Sequence, residues 1–237
     1  MQFTAGGRGE VGIVGGTGKL GAALAARLAS AGRPVLIGSR DPVRAEQAAA
    51  RVRERVGSEN VRGGSNEDAA RAGGVVVLTV PYDSVAATLP AIAEAIGDRV
   101  VVSTAVPIGF VPGAAPTAIS VAEGSACEQA ASLLPAARVV GALHSVSHVT
   151  LGHLDQPIDA DIVLTGDDAD AKQVTAELLA LLAGARIVDG GPLANSRYVE
   201  QFTVLLLSIN ARHRAHAGVR IANLPDQAAL AGGALSG

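Results

Sequence analysis

One segment limits the choice of fold more than any other. Gly15-Gly16-Thr17-Gly18-Lys19-Leu20-Gly21 joins an apolar run at 11–15 to a stretch at 19–31, in which Leu20, Leu24 and Leu28 recur at helical spacing. A Gly-x-Gly-x-x-Gly pattern that leaves a strand and opens a helix is the phosphate turn of a dinucleotide-binding βαβ unit. In a chain with 29 glycines the spacing alone carries little, so the strand–helix context decides. Gly16 is expected to permit the tight turn, Gly18 to admit a pyrophosphate, and Gly21 to bring the helix against the strand. The N–H groups of Thr17, Gly18, Lys19 and Leu20 then face the anion from the helix N-terminus, where the helix dipole favours negative charge.

The pattern continues along the chain. Strands are expected at 34–38, 75–80, 99–103 and 139–143, and helices at 42–56, 66–72, 84–96 and 125–134. Strand–helix alternation predicts an α/β fold, a Rossmann-type doubly wound parallel sheet with helices on both faces. The segment 106–124, with three prolines and three glycines, reads as a loop crossing from one half of the sheet to the other. Beyond it the alternation resumes: a strand at 161–165, a helix at 168–183, a strand at 186–189, then a long helix from near 192 to about 217. The expected organisation is a nucleotide-binding domain over 9–145 and a small C-terminal α/β part over 146–225. Residues 1–8 and 227–237 read as frayed tails.

Composition closes off other classes. Hydrophobic residues make up 49% and charged residues 17%, with a net charge of -3. That is no disordered chain, and it lacks the basic footprint of a nucleic-acid binder. A single cysteine, Cys127, excludes intramolecular disulfides and reads as a small buried residue. No run reaches the 18 apolar residues of a membrane span, and 1–10 has no signal-peptide core. A cytoplasmic protein is expected.

The end of the second strand selects the nucleotide. An NAD site needs an Asp or Glu there to hold the ribose 2′-OH. Here the place is taken by Gly38-Ser39-Arg40, and the first carboxylate, Asp41, comes one residue late and before Pro42. Ser39 can donate to a 2′-phosphate, while Arg40 and Arg44, one turn on, supply positive charge. NADP(H) is therefore expected over NAD(H). Catalytic side chains are scarce: there is no Ser/His/Asp triad, no paired carboxylates, and no Tyr-x-x-x-Lys at Tyr82 or Tyr198. His144, His148 and His153 have no glutamate between the first two and no cysteine close in sequence, so no metal site is expected.

These motifs resemble the NADPH-dependent F420 reductases. Further matching runs follow in order: Asn66-Glu67-Asp68-Ala69-Ala70, Leu78-Thr79-Val80-Pro81, Ala142-Leu143-His144, Gly166-Asp167-Asp168, and Gly191-Pro192-Leu193-x-Asn195-Ser196-Arg197-x-Val199-Glu200. The resemblance spans roughly residues 10–225. It implies direct hydride transfer between NADPH and the 8-hydroxy-5-deazaflavin ring of coenzyme F420 in a homodimer, with no catalytic side chain. In such a reaction the cofactors carry the chemistry and the protein sets distance and electrostatics. With the strand geometry it implies that Val80, Pro81, Ala105 and Val106 wall the nicotinamide. It further implies that His144, Val146, Ser147 and His148 border the deazaflavin, and that Arg197 faces an anionic part of the acceptor. Ser147-His148 departs from the Pro-Ala typical of the family. Asn195 and Ser196 also suit helix caps, and Arg138, Arg212, Arg214 and Arg220 are available for an anionic tail. The residues alone leave open a flavin, ferric chelate or imine as acceptor, or a non-enzymatic NADP(H) sensor.

Overall fold

The computed structural model describes residues 9–111 and 113–224, so the tails read at 1–8 and 227–237 lie outside the described residues. The first half alternates β1 (Val11–Val14), α1 (Lys19–Ser30), β2 (Val35–Ser39), α2 (Pro42–Val56), β3 (Val61–Ser65), α3 (Asn66–Arg71), β4 (Val75–Leu78), α4 (Tyr82–Ile96) and β5 (Val100–Ser103). A short antiparallel ribbon, β6 (Ile108–Gly109) with β7 (Thr117–Ala118), leads to α5 (Ala126–Leu133) and β8 (Arg138–Gly141). Then come α6 (His148–Gly152), β9 (Asp161–Leu164), α7 (Ala169–Leu179), β10 (Arg186–Asp189), a 3-10 turn at Leu193–Asn195 and α8 (Ser196–His213).

Six strands form one sheet in the order β3-β2-β1-β4-β5-β8, and every neighbouring pair is parallel. This is the doubly wound Rossmann arrangement. Strands β1, β4 and β5 are buried throughout and read as continuous Val/Ile/Leu-rich runs, because helices cover both faces. One core, with Leu24, Leu28, Ala45, Ile162 and Leu178, lies under α1, α2 and α7. The other, with Ala69, Leu89, Ile92 and Ala126, lies under α3, α4 and α5.

Two expectations are corrected. The segment 106–124 does not cross the sheet: β5 and β8 are direct neighbours, with Val100 opposite Arg138. The reversal occurs earlier, where the chain passes from the edge strand β3 through α3 to β4 on the other side of β1. Strand β3 itself had no sequence signal. Val61-Arg62-Gly63-Gly64-Ser65 is an edge strand with one buried residue, so it shows neither an apolar run nor alternation.

The C-terminal part is fastened in two places. β9 and β10 pair in parallel, and an antiparallel bridge between Gly141 and Thr165 joins them to the edge of the main sheet. Within the pair, buried Asp161 and Arg186 form an ion pair at 2.7 Å, and Arg186 also donates to the carbonyls of Ile221 and Leu224. On the other side, buried Arg27 of α1 reaches the segment around α6. Its Nε donates to Leu151 O (2.9 Å), and its Nη2 donates to the carbonyls of Thr150, His153 and Gln156 (3.0, 2.6 and 2.8 Å). Among the described residues no helix is long and apolar enough to cross a membrane.

Candidate active site

The C-terminal ends of the parallel strands open into one cleft of about 1360 Å³. A doubly wound sheet places its ligand crevice there, beside the strand-order reversal. The glycine loop forms one rim. Its tight turn is made by Gly15, at φ +71°, and not by Gly16. The strand ends at Val14, so the left-handed residue comes one position sooner than expected; a Cβ on Gly15 would also lie 2.6 Å from Val80 Cγ1. Gly16 sits behind the loop, donating to Gly38 O at 2.9 Å, and does not line the cleft. Asn66 of α3 pins the loop by accepting the Gly15 N–H at 3.0 Å.

Gly18 and Gly21 differ in what surrounds them. A Cβ on Gly18 would meet only Gly15 O, at 3.7 Å, so the space in front of it stays open. A Cβ on Gly21 would lie 2.5 Å from Gly16 Cα and 2.7 Å from Thr79 Oγ1. Gly21→Ala is therefore expected to destabilise the fold by about 1–3 kcal/mol, seen as a lower melting temperature at roughly 2–4 °C per kcal/mol. Gly18→Ala is expected to melt close to wild type while binding NADPH more weakly. Equal melting temperatures for the two variants would contradict this reading of the loop.

Helix ends add to the rim. α2, α3, α5 and α7 are capped by Asp41, Ser65, Ser125 and Asp168. α1 and α4 begin at Gly18 and Pro81 without any side-chain cap. Both of these bare N-termini line the cleft, through Thr17, Gly18, Lys19 and Leu20 on one side and Pro81 on the other. Their first N–H groups have no partner inside the helix, and the dipole there attracts anions. Ser39, Arg40 and Arg44 gather at the same end. Asp41 Oδ1 accepts the N–H groups of Val43 and Arg44 at 3.0 and 3.4 Å, so this carboxylate is engaged as a helix cap. The Ser39 hydroxyl oxygen accepts from Asp41 N–H at 3.2 Å, leaving its proton available to a ligand.

Val80, Pro81, Ala105 and Val106 line the middle of the cleft at the ends of β4 and β5. His144, Val146, Ser147 and His148 form the wall after β8. His144 is buried, and burial holds its imidazole neutral by lowering its pKa to about 4. Its Nε2 lies 3.5 Å from Cys127 Sγ, while Nδ1 is buried without a hydrogen-bond partner. His148 stands nearer the phosphate rim than expected. Burial, Lys19 and His216 together hold its pKa below the usual value, and it shares a smaller neighbouring hollow with Thr17 and Lys19.

The third wall was not foreseen. Thr203, Leu206, Leu207 and Asn210 of α8, followed by Arg214 and His216, line the cleft. The sequence gives this helix its bounds but no role, yet the spacing 203, 206/207, 210 is one helical face. Of the arginines considered for an anionic tail, Arg214 lines the cleft. Arg138 instead donates to Asp98 O, and Arg220 faces Asp159 and Asp161.

Arg197 is corrected outright. It does not line the cleft; its Nη2 pairs with Glu128 at 3.0 Å and its Nε donates to Ala194 O. Asn195 occupies the N-cap position of α8, but its side chain makes no capping hydrogen bond. Asn195 Nδ2 donates to Gly190 O at 2.8 Å, and the Ser196 and Thr165 hydroxyls bond at 2.6 Å. The Asn-Ser-Arg run thus anchors the start of α8. Sequence reasoning also missed that Cys127, His144 and Glu200 meet, because they lie far apart along the chain. Their side-chain N, S and O atoms lie within 4.8 Å of one another. A cation is poorly served there: Glu200 already accepts the N–H groups of Ala126 and Cys127, and burial pushes the Cys127 thiol firmly towards its protonated form.

Comparison with known proteins fits this geometry. Residues 10–107 match the family model described as NADP oxidoreductase, coenzyme F420-dependent. The F420-dependent NADP reductase of Methanothermobacter thermautotrophicus is 41% identical over 92% of this chain and 97% of its own length. That of Methanocaldococcus jannaschii is 36% identical over 91% and 99%. A crystal structure from Arthrobacter sp. FB24, provisionally assigned as an F420-dependent NADP reductase, superposes with a TM-score of 0.75 at 28% identity, covering 92% of this chain and all of that one. With a cleft of this shape and relatives matched along almost their whole length, the chain belongs to the F420-dependent NADP reductase family.

Proposed function

We propose that the chain transfers a hydride reversibly between NADPH and coenzyme F420. The observation that carries this is the single cleft running from the basic rim to the α8 wall. Its volume of about 1360 Å³ exceeds the roughly 300–1,000 Å³ of a pocket for one drug-sized ligand, so two cofactors can lie together in it. In this reading Gly16, Thr17, Gly18, Lys19 and Leu20 form the pyrophosphate turn, with Gly16 acting from behind. Ser39, Arg40 and Arg44 hold the 2′-phosphate, and Val80, Pro81, Ala105 and Val106 wall the nicotinamide. His144, Val146, Ser147 and His148 border the deazaflavin opposite α8. Arg214 replaces Arg197 as the cation facing the acceptor's anionic tail. Hydride transfer needs the reacting carbons about 3–3.5 Å apart, and a cleft walled by small aliphatic groups lets two flat rings approach.

The same reading takes residues 9–145 as the nucleotide half and 146–225 as the acceptor and dimer half, in a cytoplasmic homodimer. Tyr198, Phe202, Leu205 and Ile209 form an exposed apolar stripe at helical spacing on α8, a face suited to a second copy. The test is direct: purified protein, NADPH and F420 are mixed and the deazaflavin absorbance followed. Loss of absorbance is expected. No turnover alongside tight NADPH binding overturns the reading, and turnover with FMN but not F420 reassigns the acceptor.

A further inference from the structure

Behind the acceptor wall lies a buried chain of three titratable groups that hydride transfer itself does not use. Glu200 of α8 is 1% exposed and accepts the N–H groups of Ala126 (2.9 Å) and Cys127 (3.1 Å) at the start of α5. The sulfur of Cys127 lies 3.5 Å from Nε2 of His144 and within 4.8 Å of a Glu200 carboxylate oxygen. The far nitrogen of that ring, Nδ1, has no hydrogen-bond partner among the described residues, although His144 lines the cleft. A buried ring nitrogen without a partner is rare in folded proteins and calls for an explanation. A ligand atom in the cleft supplies one.

We propose that Glu200, Cys127 and His144 form a proton store, which gives and takes at Nδ1 of His144 the proton that accompanies hydride transfer. The inference rests on the reading of the acceptor above. Reduction of F420 by NADPH consumes one proton: the hydride leaves the nicotinamide with two electrons, and the ring that receives it carries a negative charge until a proton neutralises it. With Glu200 protonated, its O–H faces the thiol, the thiol proton faces Nε2, and Nδ1 carries the hydrogen. Donation from Nδ1 to the reduced ring is followed by transfer of the thiol proton to Nε2 and of the carboxyl proton to sulfur. The chain ends as a carboxylate, a thiol and the other neutral tautomer of His144. Oxidation of the reduced acceptor runs the same steps backwards, and between turnovers a proton from solvent refills the store. The ring stays neutral throughout, as its burial demands.

The carboxyl group is suited to this task. Burial raises its pKa to about 7, against the two backbone N–H bonds that lower it. Titratable groups face it from each packed element: Cys127 and Glu128 on α5, Tyr82 on α4, and His144 after β8. Glu128 is itself paired with Arg197.

The first readout uses no cofactor. In protein labelled with 15N-histidine, His144 is assigned by its loss in His144→Gln, and its tautomer is followed across pH. Wild type should exchange the Nδ1–H form for the Nε2–H form as pH rises through about 7, with the ring neutral on both sides. In Glu200→Gln and in Cys127→Ala, which leaves the carboxylate and its backbone bonds in place, the tautomer should ignore pH. A tautomer that is fixed in wild type, or that switches unchanged in both variants, overturns the proposal. In turnover, both variants should reduce F420 at least roughly 100-fold more slowly, with NADPH affinity within about twofold of wild type. Wild-type rates in both variants overturn the proton store and leave the acceptor reading intact. Failure of the wild-type protein to turn over F420, with NADPH still bound, overturns the acceptor reading itself.

Discussion

Arg40→Ala should raise the KM for NADPH roughly 10–150-fold while changing that for NADH by no more than about twofold. The two nucleotides differ only in the 2′-phosphate, so the difference isolates that contact. A hydrogen bond to a charged group contributes about 1.5–3 kcal/mol, and that range sets the predicted ratio. Arg40 is exposed at the end of β2, in the rim that also carries Ser39 and Arg44. The contact should therefore weaken with added salt, because an exposed pair is screened over about 10 Å at 0.1 M. Arg44 stays in place in the single variant and takes over part of the contact, so the double variant should lose more than the sum of the two single losses. Equal losses for NADPH and NADH would show that Arg40 does not read the 2′-phosphate.

Arg27→Leu should lower folding stability by about 2–4 kcal/mol, as each buried carbonyl left without a donor costs roughly 1–3 kcal/mol and some find water. Four carbonyls, those of Thr150, Leu151, His153 and Gln156, share this one guanidinium. Burial lowers the Arg27 pKa, partly offset by Asp155, yet an arginine stays charged under any physiological condition. Arg27→Lys should not rescue the loss, because an ammonium cannot match a planar fork that donates to several carbonyls at once. The contact also bears on the cleft. The segment it holds includes α6, which starts at His148 on the cleft wall. F420 affinity should therefore fall more than NADPH affinity. Denaturant melts and two binding titrations check both parts, and wild-type stability for Arg27→Lys would sink the argument.

Much of this was legible before any coordinates. The helix over Pro42–Val56 and the strand over Arg186–Asp189 match the expected bounds, because strong signals bracket them: Asp41-Pro42 and Gly57 for the helix, Gly184 and Gly190 for the strand. The glycine loop, the Ser39-Arg40 end and the strand tips at Val80 and Ala105 line one cleft, since a parallel sheet brings all its C-terminal ends to one edge. What stayed hidden depends on tertiary approach. Gly63 and Gly64 erase the hydrophobic signature of β3. Arg197 reads as a free cation until Glu128 of a distant helix is beside it. Cys127, His144 and Glu200 come from three elements, and no local pattern links them. The α8 wall is the instructive miss, because its periodicity was present but fitted a core face equally well.

The uncapped starts of α1 and α4 have a consequence for how this protein must be interrogated by mutation. In the proposed site the glycine loop and the start of α4 hold their ligand through main-chain amides, which alanine keeps. An alanine scan across Thr17, Lys19, Leu20 and Tyr82 would thus understate the site, returning mild effects at positions that touch the ligand. Proline removes the amide hydrogen and suits the first turn of a helix. A proline scan of the opening residues of α1 and α4 is the substitution series that can see this kind of site.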